Sequence, residues 1–163
     1  MLLGLPQTMD LSAEQIEAAA LELSARLHPD AVGGDPEAEA RLAAVNDARS
    51  VLASPESRAI ALLAAAGGPS ASEDRSLPAG FLMEMMQVRE ALDEAVARKD
   101  AGEVSTWRAW ALRKRDSHAA RVRELFLKGG ERDVLVDIRR ELNAWRYIER
   151  MLDQIPDGGT GSI

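Results

Sequence analysis

The feature that most constrains this chain is an apolar period of three to four residues that recurs in successive segments. No segment alternates apolar and polar residues in the period-two pattern of a half-buried strand. Aromatic residues make up only 4% of the composition, and alanine, leucine, glutamate and arginine, which form helices well, dominate it. We therefore predict an all-α protein. The predicted helices run over 12–27, from about 36, and over 58–66, 78–99, 102–127 and 132–155.

Proline, glycine and serine divide these helices into two groups. Ser12 and Gln15 predict a capping box at the start of the first helix, and Pro29 is expected to end that helix near His28, because proline removes an amide donor. The run 67–78 has the composition of a linker. Short connections between the last three helices predict an antiparallel three-helix bundle. The predicted division is an N-terminal domain over 1–68, a linker over 69–78, a C-terminal bundle over 79–156 and a flexible tail over 157–163.

Composition argues against several classes of function. The net charge of −7 disfavours binding to nucleic acid or to an anionic membrane. No run approaches about 20 apolar residues, and the first residues lack the basic region of a signal peptide, so we expect a cytoplasmic protein. The chain has no cysteine and two histidines, His28 and His118, far apart in sequence. We therefore expect no zinc site, no cofactor and no enzymatic activity.

The helix predicted over 102–127 has two features with ordinary explanations. His118 follows the pattern of Ala111 and Val122, which favours a packing residue at the helix boundary over a catalytic base. Trp107 and Trp110 lie among several arginines and superficially suggest nucleic acid. Because acidic residues occur throughout the chain, a solvated face paired with carboxylates of neighbouring helices is the favoured interpretation.

The helix predicted over 78–99 carries apolar residues on two faces. Its predicted core stripe is Phe81, Met85, Val88, Leu92 and Val96. Leu82, Met83 and Met86 fall outside that stripe. An exposed, methionine-rich face is typical of a binding surface, but burial of both faces, one of them against the N-terminal half, explains the pattern equally well.

The last helix predicts one further core stripe. Its members are Leu135, Ile138, Leu142, Trp145 and Leu152. Tyr147 is predicted to project from the opposite side, near Arg140 and Asn143.

The stretch RLHPDA at 26–31 admits four interpretations: a catalytic dyad, a metal ligand, a helix stop and a partner-binding loop. Pro29 holds the backbone extended, so His28 and Asp30 diverge and make a poor dyad. Proline also reduces the entropy lost on docking, and a carboxylate can accept a bidentate arginine from a partner. A partner-binding loop uses all three residues, whereas a helix stop uses the proline alone.

Two groups of motifs resemble a known family. A helix, His-Pro-Asp, a helix bearing NDAR at 46–49 and the run 52–63 together resemble the J domain of DnaJ-type co-chaperones. More narrowly, LGLP at 3–6 and PAGFLMEMMQVREALDE at 78–94 resemble the HscB co-chaperones of iron–sulfur cluster assembly. The resemblance covers about 2–155 and is weakest in the middle helix of the bundle. It implies a J domain built on a helical hairpin, followed by a three-helix C-terminal domain.

The resemblance implies a DnaK/HscA-type chaperone as the first partner, whose ATPase the loop stimulates. The matching chaperone-binding residues are His28, Pro29 and Asp30, with Arg26 as a supporting cation. The helix before such a loop usually presents a basic face, yet here it carries three glutamates and one arginine, and Ala31 stands where lysine or arginine is common. A weak J domain, an unusual partner chaperone, or a helical adaptor that has lost ATPase stimulation all fit this departure.

The second partner that the resemblance implies is an IscU-like iron–sulfur scaffold protein. The matching scaffold-binding residues are Leu82, Met83, Met86, Gln87, Glu90, Arg146 and Tyr147. Gln87 stands where glutamate is usual, and Tyr147 stands where phenylalanine is usual. The resemblance therefore predicts a non-enzymatic co-chaperone that brings scaffold and chaperone together.

Overall fold

Helices account for the regular structure of this protein. The computed structural model describes residues 2–27 and 36–156, and within these ranges it contains helices and no strands, which confirms the all-α prediction. The helices are α1 (Ala13–Arg26), α2 (Pro36–Ala53), α3 (Pro55–Ala65), α4 (Phe81–Ala97), α5 (Ala101–Lys128) and α6 (Arg132–Gln154). Contacts divide the chain into two compact units, 1–65 and 66–163.

The first unit is a helical hairpin of α1 and α2 with α3 packed against α2. The predicted capping box starts α1: Ser12 Oγ accepts from Gln15 N at 3.2 Å, and Ser12 N donates to Gln15 Oε1 at 2.9 Å. The core of this unit is built mainly from aliphatic side chains. They include Leu3, Leu11, Ile16, Ala20, Val45 and Leu52.

The third helix begins one turn earlier than predicted. Proline suits the first helical position, so Pro55 opens α3, and Ser54 Oγ caps it by accepting from Ser57 N at 3.3 Å. Arg58, which was predicted to start this helix, instead lies buried within it.

The buried guanidinium of Arg58 joins three segments of the first unit. Its Nε donates to the carbonyl of Leu52 at 2.8 Å, and its Nη1 donates to the carbonyls of Met9 and Leu11 at 2.6 and 3.1 Å. One side chain therefore ties α3 to the end of α2 and to the segment that precedes α1.

The second unit is the predicted bundle of α4, α5 and α6, in which α5 and α6 pack against each other most extensively. The predicted core stripe of α6 is buried. So are residues on a second side of this helix, among them Ala144, Ile148 and Met151. Because α6 is covered on two sides, Tyr147 does not project away from the core as predicted. It is half-buried and packs edge-to-face on Phe81, with ring centroids 5.5 Å apart.

Two predictions about α4 were wrong at its ends. The helix begins at Phe81 rather than Pro78, because Gly80 adopts φ 77°, a left-handed conformation that a helix does not continue through. At the other end Val96 is 40% exposed, whereas Ala95 is fully buried. Because the helical period of about 3.6 residues lies between three and four, either Ala95 or Val96 could follow Leu92 on the core side. In this helix it is Ala95.

Candidate functional site

The first turns of α4 expose three large apolar side chains to solvent. Phe81, Met85 and Val88 are buried and fix the rotation of the helix. The neighbouring Leu82, Met83 and Met86 consequently face outward, with 55%, 69% and 70% of their surfaces exposed. Within the second unit, α4 therefore has a second apolar face that the other helices of the bundle leave uncovered.

These side chains line a shallow, mainly apolar groove of about 980 Å³. Its lining residues are Leu77, Pro78, Gly80, Leu82, Met83, Met86, Gln87, Arg89 and Glu90. The groove therefore brings together the five predicted scaffold-binding residues that lie on α4. Arg146 and Tyr147, the two predicted on α6, do not line it: Arg146 is exposed, and Tyr147 borders a neighbouring recess.

The segment before α4 forms one edge of the groove and is held by a side chain of α6. Asn143 Nδ2 donates to the carbonyls of Asp74 and Ser76 at 3.0 and 2.9 Å. Asn143 Oδ1 in turn accepts from Arg139 Nε at 3.0 Å. Hydrogen bonds from the side chain and backbone of Ser76 lower the pKa of Asp74. Leu77 and Pro78 follow directly and enter the groove.

Aromatic and ionic contacts hold the start of α4 against the other two helices. Phe81 lies edge-to-face with His118 at 5.6 Å and with Tyr147 at 5.5 Å. His118 Nδ1 lies 2.7 Å from Glu141 Oε2, which agrees with its prediction as a boundary packing residue. Lys114 of α5 pairs with Glu84 of α4 at 2.5 Å. The apolar groove is thus displayed on a helix whose position is fixed from two sides.

Sequence reasoning missed four of the groove residues. Leu77, Pro78 and Gly80 fell in or beside the predicted linker, and only their contact with α4 makes them part of a surface. Arg89 follows Met86 by three residues, which places it on the same side of the helix. Its position could have been read from the sequence, because helical spacing alone assigns it to the exposed face.

The predicted chaperone-binding loop, His28, Pro29 and Asp30, lies outside the described residues, as does Ala31. Arg26, the predicted supporting cation, is exposed and forms an ion pair with Glu22 of its own helix. Glu17 pairs with Arg49 of α2 at 3.1 Å. Arg26 and Arg49 are therefore both engaged with glutamates of α1, so the acidic character noted in the sequence persists in the fold.

Two remaining features of residues 2–27 and 36–156 concern candidate metal ligands and membrane-spanning helices. Within these ranges, histidines and carboxylates do not gather in groups of three or more that could hold a metal ion. The same ranges contain no helix that is long and apolar enough to cross a membrane.

Comparison with known proteins identifies the family. Residues 1–61 match the DnaJ domain model, and residues 77–156 match the model of the HSCB C-terminal oligomerisation domain. The chain is 32% identical over 166 residues to the co-chaperone protein HscB homolog of Azoarcus sp. (strain BH72), an alignment that covers 96% of this chain and 90% of that protein. The chain belongs to the HscB co-chaperone family. Family membership supports a co-chaperone role, and its J domain implies an Hsp70-type chaperone as partner.

Two further comparisons extend this similarity. The HscB homolog of Chromobacterium violaceum is 36% identical over 106 residues, which span 61% of this chain and 61% of that relative. The solved structure of the chaperone HscB from Vibrio cholerae superposes with a TM-score of 0.76 at 22% identity, covering 94% of this chain and 92% of that one. The structural likeness shows the same fold, and the two family models identify its parts as a J domain followed by an HscB-type C-terminal domain.

Proposed function

We propose that this HscB family member docks an IscU-like scaffold protein in the apolar groove of α4. We further propose that it stimulates the ATPase of a DnaK/HscA-type chaperone through His28, Pro29 and Asp30. The observation that carries the proposal is the exposure of Leu82, Met83 and Met86 side by side on one helix face. Clusters of exposed large apolar side chains mark interaction sites on soluble proteins, and methionines adapt to the shape of a partner.

In this proposal the co-chaperone acts by carrying the scaffold-binding groove and the chaperone-binding loop on one chain. A scaffold held in the groove reaches the chaperone at a high effective concentration once the loop engages that chaperone. The chain has no cysteine and so offers no thiolate to iron. The proposal therefore leaves the cluster chemistry to the scaffold and the chaperone, with this chain joining the two proteins.

The scaffold half of the proposal is tested by replacing Leu82, Met83 and Met86 together with alanine. Because each side chain is exposed, the variant should fold like the wild type and weaken scaffold binding on the order of a hundredfold, as expected for anchor residues of an interface. Isothermal titration with an IscU-type protein measures this loss. Leu127, 80% exposed at the end of α5, provides a matched apolar control when it is changed to alanine. Unchanged affinity in the triple variant would contradict the docking site.

The chaperone half is tested with His28→Gln in a steady-state ATPase assay. The variant should lose stimulation of the partner chaperone while its thermal unfolding and scaffold affinity stay those of the wild type. A substitution that unfolds the protein would instead identify His28 as a packing residue.

A second candidate function is a helical adaptor that binds the scaffold without stimulating a chaperone. The acidic face of α1 favours it, because Arg26 of α1 and Arg49 of α2 are both paired with glutamates of α1. The same assay separates the two candidates. Wild-type protein that binds scaffold and leaves chaperone turnover unchanged would identify the adaptor.

A further inference from the structure

A cationic recess adjoins the apolar groove on the side that faces α6. It has a volume of about 210 Å³, and its lining residues are Arg89, Tyr147, Arg150, Met151 and Gln154. These five, all within the described part of the chain, include two guanidinium groups, a phenol and an amide but no carboxylate. Arg150 is exposed. A depression with this lining presents hydrogen-bond donors and positive charge.

Arg89 connects this recess to the apolar groove, because it lines both. Its Nη1 donates to Gln154 Oε1 at 3.2 Å, which holds the guanidinium across the gap between α4 and α6. Asp93 approaches Arg89 Nε at only 4.0 Å, and both side chains are mostly exposed. An exposed pair of this kind is weak, so Asp93 leaves Arg89 available to a better-placed carboxylate.

The size and chemistry of the recess select one kind of occupant. Small-molecule pockets usually measure about 300–1,000 Å³, so a recess of about 210 Å³ suits a single side chain. Arginine forks match the planar geometry of a carboxylate and bind it through parallel hydrogen bonds. The recess therefore fits an aspartate or glutamate side chain better than an apolar or basic one.

We propose that the recess between Arg89 and Arg150 takes an acidic side chain of the same scaffold protein whose apolar residues occupy the groove of α4. This inference rests on the proposed function, and it extends the docking surface from α4 onto α6. The groove supplies apolar contact area, and the two arginines fix the register of the partner along the helices. Tyr147 acquires a different role from that of an apolar anchor, since it forms a wall of the charged recess.

Isothermal titration of full-length protein with an IscU-type scaffold tests the proposal, using Arg150→Glu, Arg150→Lys and the alanine triple variant. Arg150→Glu should weaken binding by roughly tenfold or more and flatten its dependence on salt, because it places a like charge against the partner's carboxylate. Arg150→Lys keeps the charge without the fork and should lose less. The control is Arg113→Glu, an exposed arginine of α5 that makes the same change of charge and should bind as the wild type does.

The results separate the two proposals. Wild-type affinity in Arg150→Glu, with loss in the triple variant, would overturn the cationic recess and leave the apolar docking site intact. Wild-type affinity in both variants would overturn both. The Arg150 Nε–Hε resonance should move on addition of scaffold and stay in place with millimolar inorganic phosphate. An equal shift with phosphate alone would identify a small-anion site instead and contradict the proposal.

Discussion

Single polar side chains hold the non-helical parts of this protein in place. Arg58 donates to three backbone carbonyls, including those of Met9 and Leu11 before α1, and Asn143 donates to the carbonyls of Asp74 and Ser76 before α4. Carbonyls outside helices have no ladder partner, so each needs a donor when it is withdrawn from water. One side chain in each unit satisfies several of them at once.

Arg58→Ala should lower the stability of the first unit by about 3 kcal/mol, since buried carbonyls lose a charged donor and its stem leaves a cavity. The three tryptophans, Trp107, Trp110 and Trp145, all lie in the second unit. Far-UV circular dichroism should therefore show an early loss of helix, while the tryptophan fluorescence transition stays at the wild-type temperature. Arg58→Lys keeps one charged donor, so its dichroism transition should lie between those of the wild type and Arg58→Ala. A wild-type dichroism transition in Arg58→Ala would contradict the assigned role.

At the scale of elements, α1 and α4 each have an exposed face whose residues do not belong to the core of their unit. The exposed side of α1 carries Glu14, Glu17 and Glu22, and its neighbouring arginines are paired. Family resemblance leads us to expect a basic surface on this helix. Charges at the rim of an interface mainly set association rate and the choice of partner. The acidic face of α1 therefore predicts poor engagement of chaperones that require a basic helix.

Glu14→Lys combined with Glu22→Lys should raise stimulation of a general bacterial DnaK, because the first change adds a cation and the second also releases Arg26 from its pair. The gain should shrink at high salt, as screening predicts. Chaperone ATPase rates at low and high ionic strength measure both effects. A control with Glu124→Lys and Glu131→Lys carries the same net charge change on the other unit. An equal gain in that control would point to net charge rather than to the α1 surface.

At the scale of the whole molecule, the two compact units meet in sequence between Ala65 and Ala66. The predicted division, with a linker over 69–78 and a bundle from 79, stays a prediction. The hydrogen bonds of Asn143 to Asp74 and Ser76 join part of that segment to α6. On this basis the segment contributes stability to the bundle as well as connecting it.

A fragment of residues 66–163 should unfold at a temperature several degrees higher than a fragment of 79–163. The shorter fragment leaves Asn143 without its two acceptors, a loss of about 1–3 kcal/mol. Tryptophan fluorescence during heating measures both fragments, and Asn143→Ala in the longer one should reproduce most of the difference. Equal midpoints for the two fragments would support the linker interpretation of 69–78.

Most of the secondary structure of this protein could be predicted from its sequence because it depends on interactions between residues close together in the chain. Helical period, proline and glycine breaks, and the Ser12–Gln15 capping box depend on residues within a few positions of one another. The position of Leu82, Met83 and Met86 outside the core stripe follows from the same period once Phe81 is placed in the core, but the period left open whether that second face is exposed or buried. Motif resemblance supplied the family and the predicted positions of the partner-binding residues.

Tertiary structure decided what depends on residues far apart in the chain. The burial of Arg58 requires carbonyls 47 and 49 residues away, and no local pattern encodes such pairings. Tyr147 turns onto Phe81 because α6 is covered on two sides, a fact about its neighbours rather than about its own period. The cationic recess likewise exists only because Arg89 and Arg150 come from different helices. Short-range spacing fixes which way a side chain points along its helix, but the helices that surround it determine what it meets.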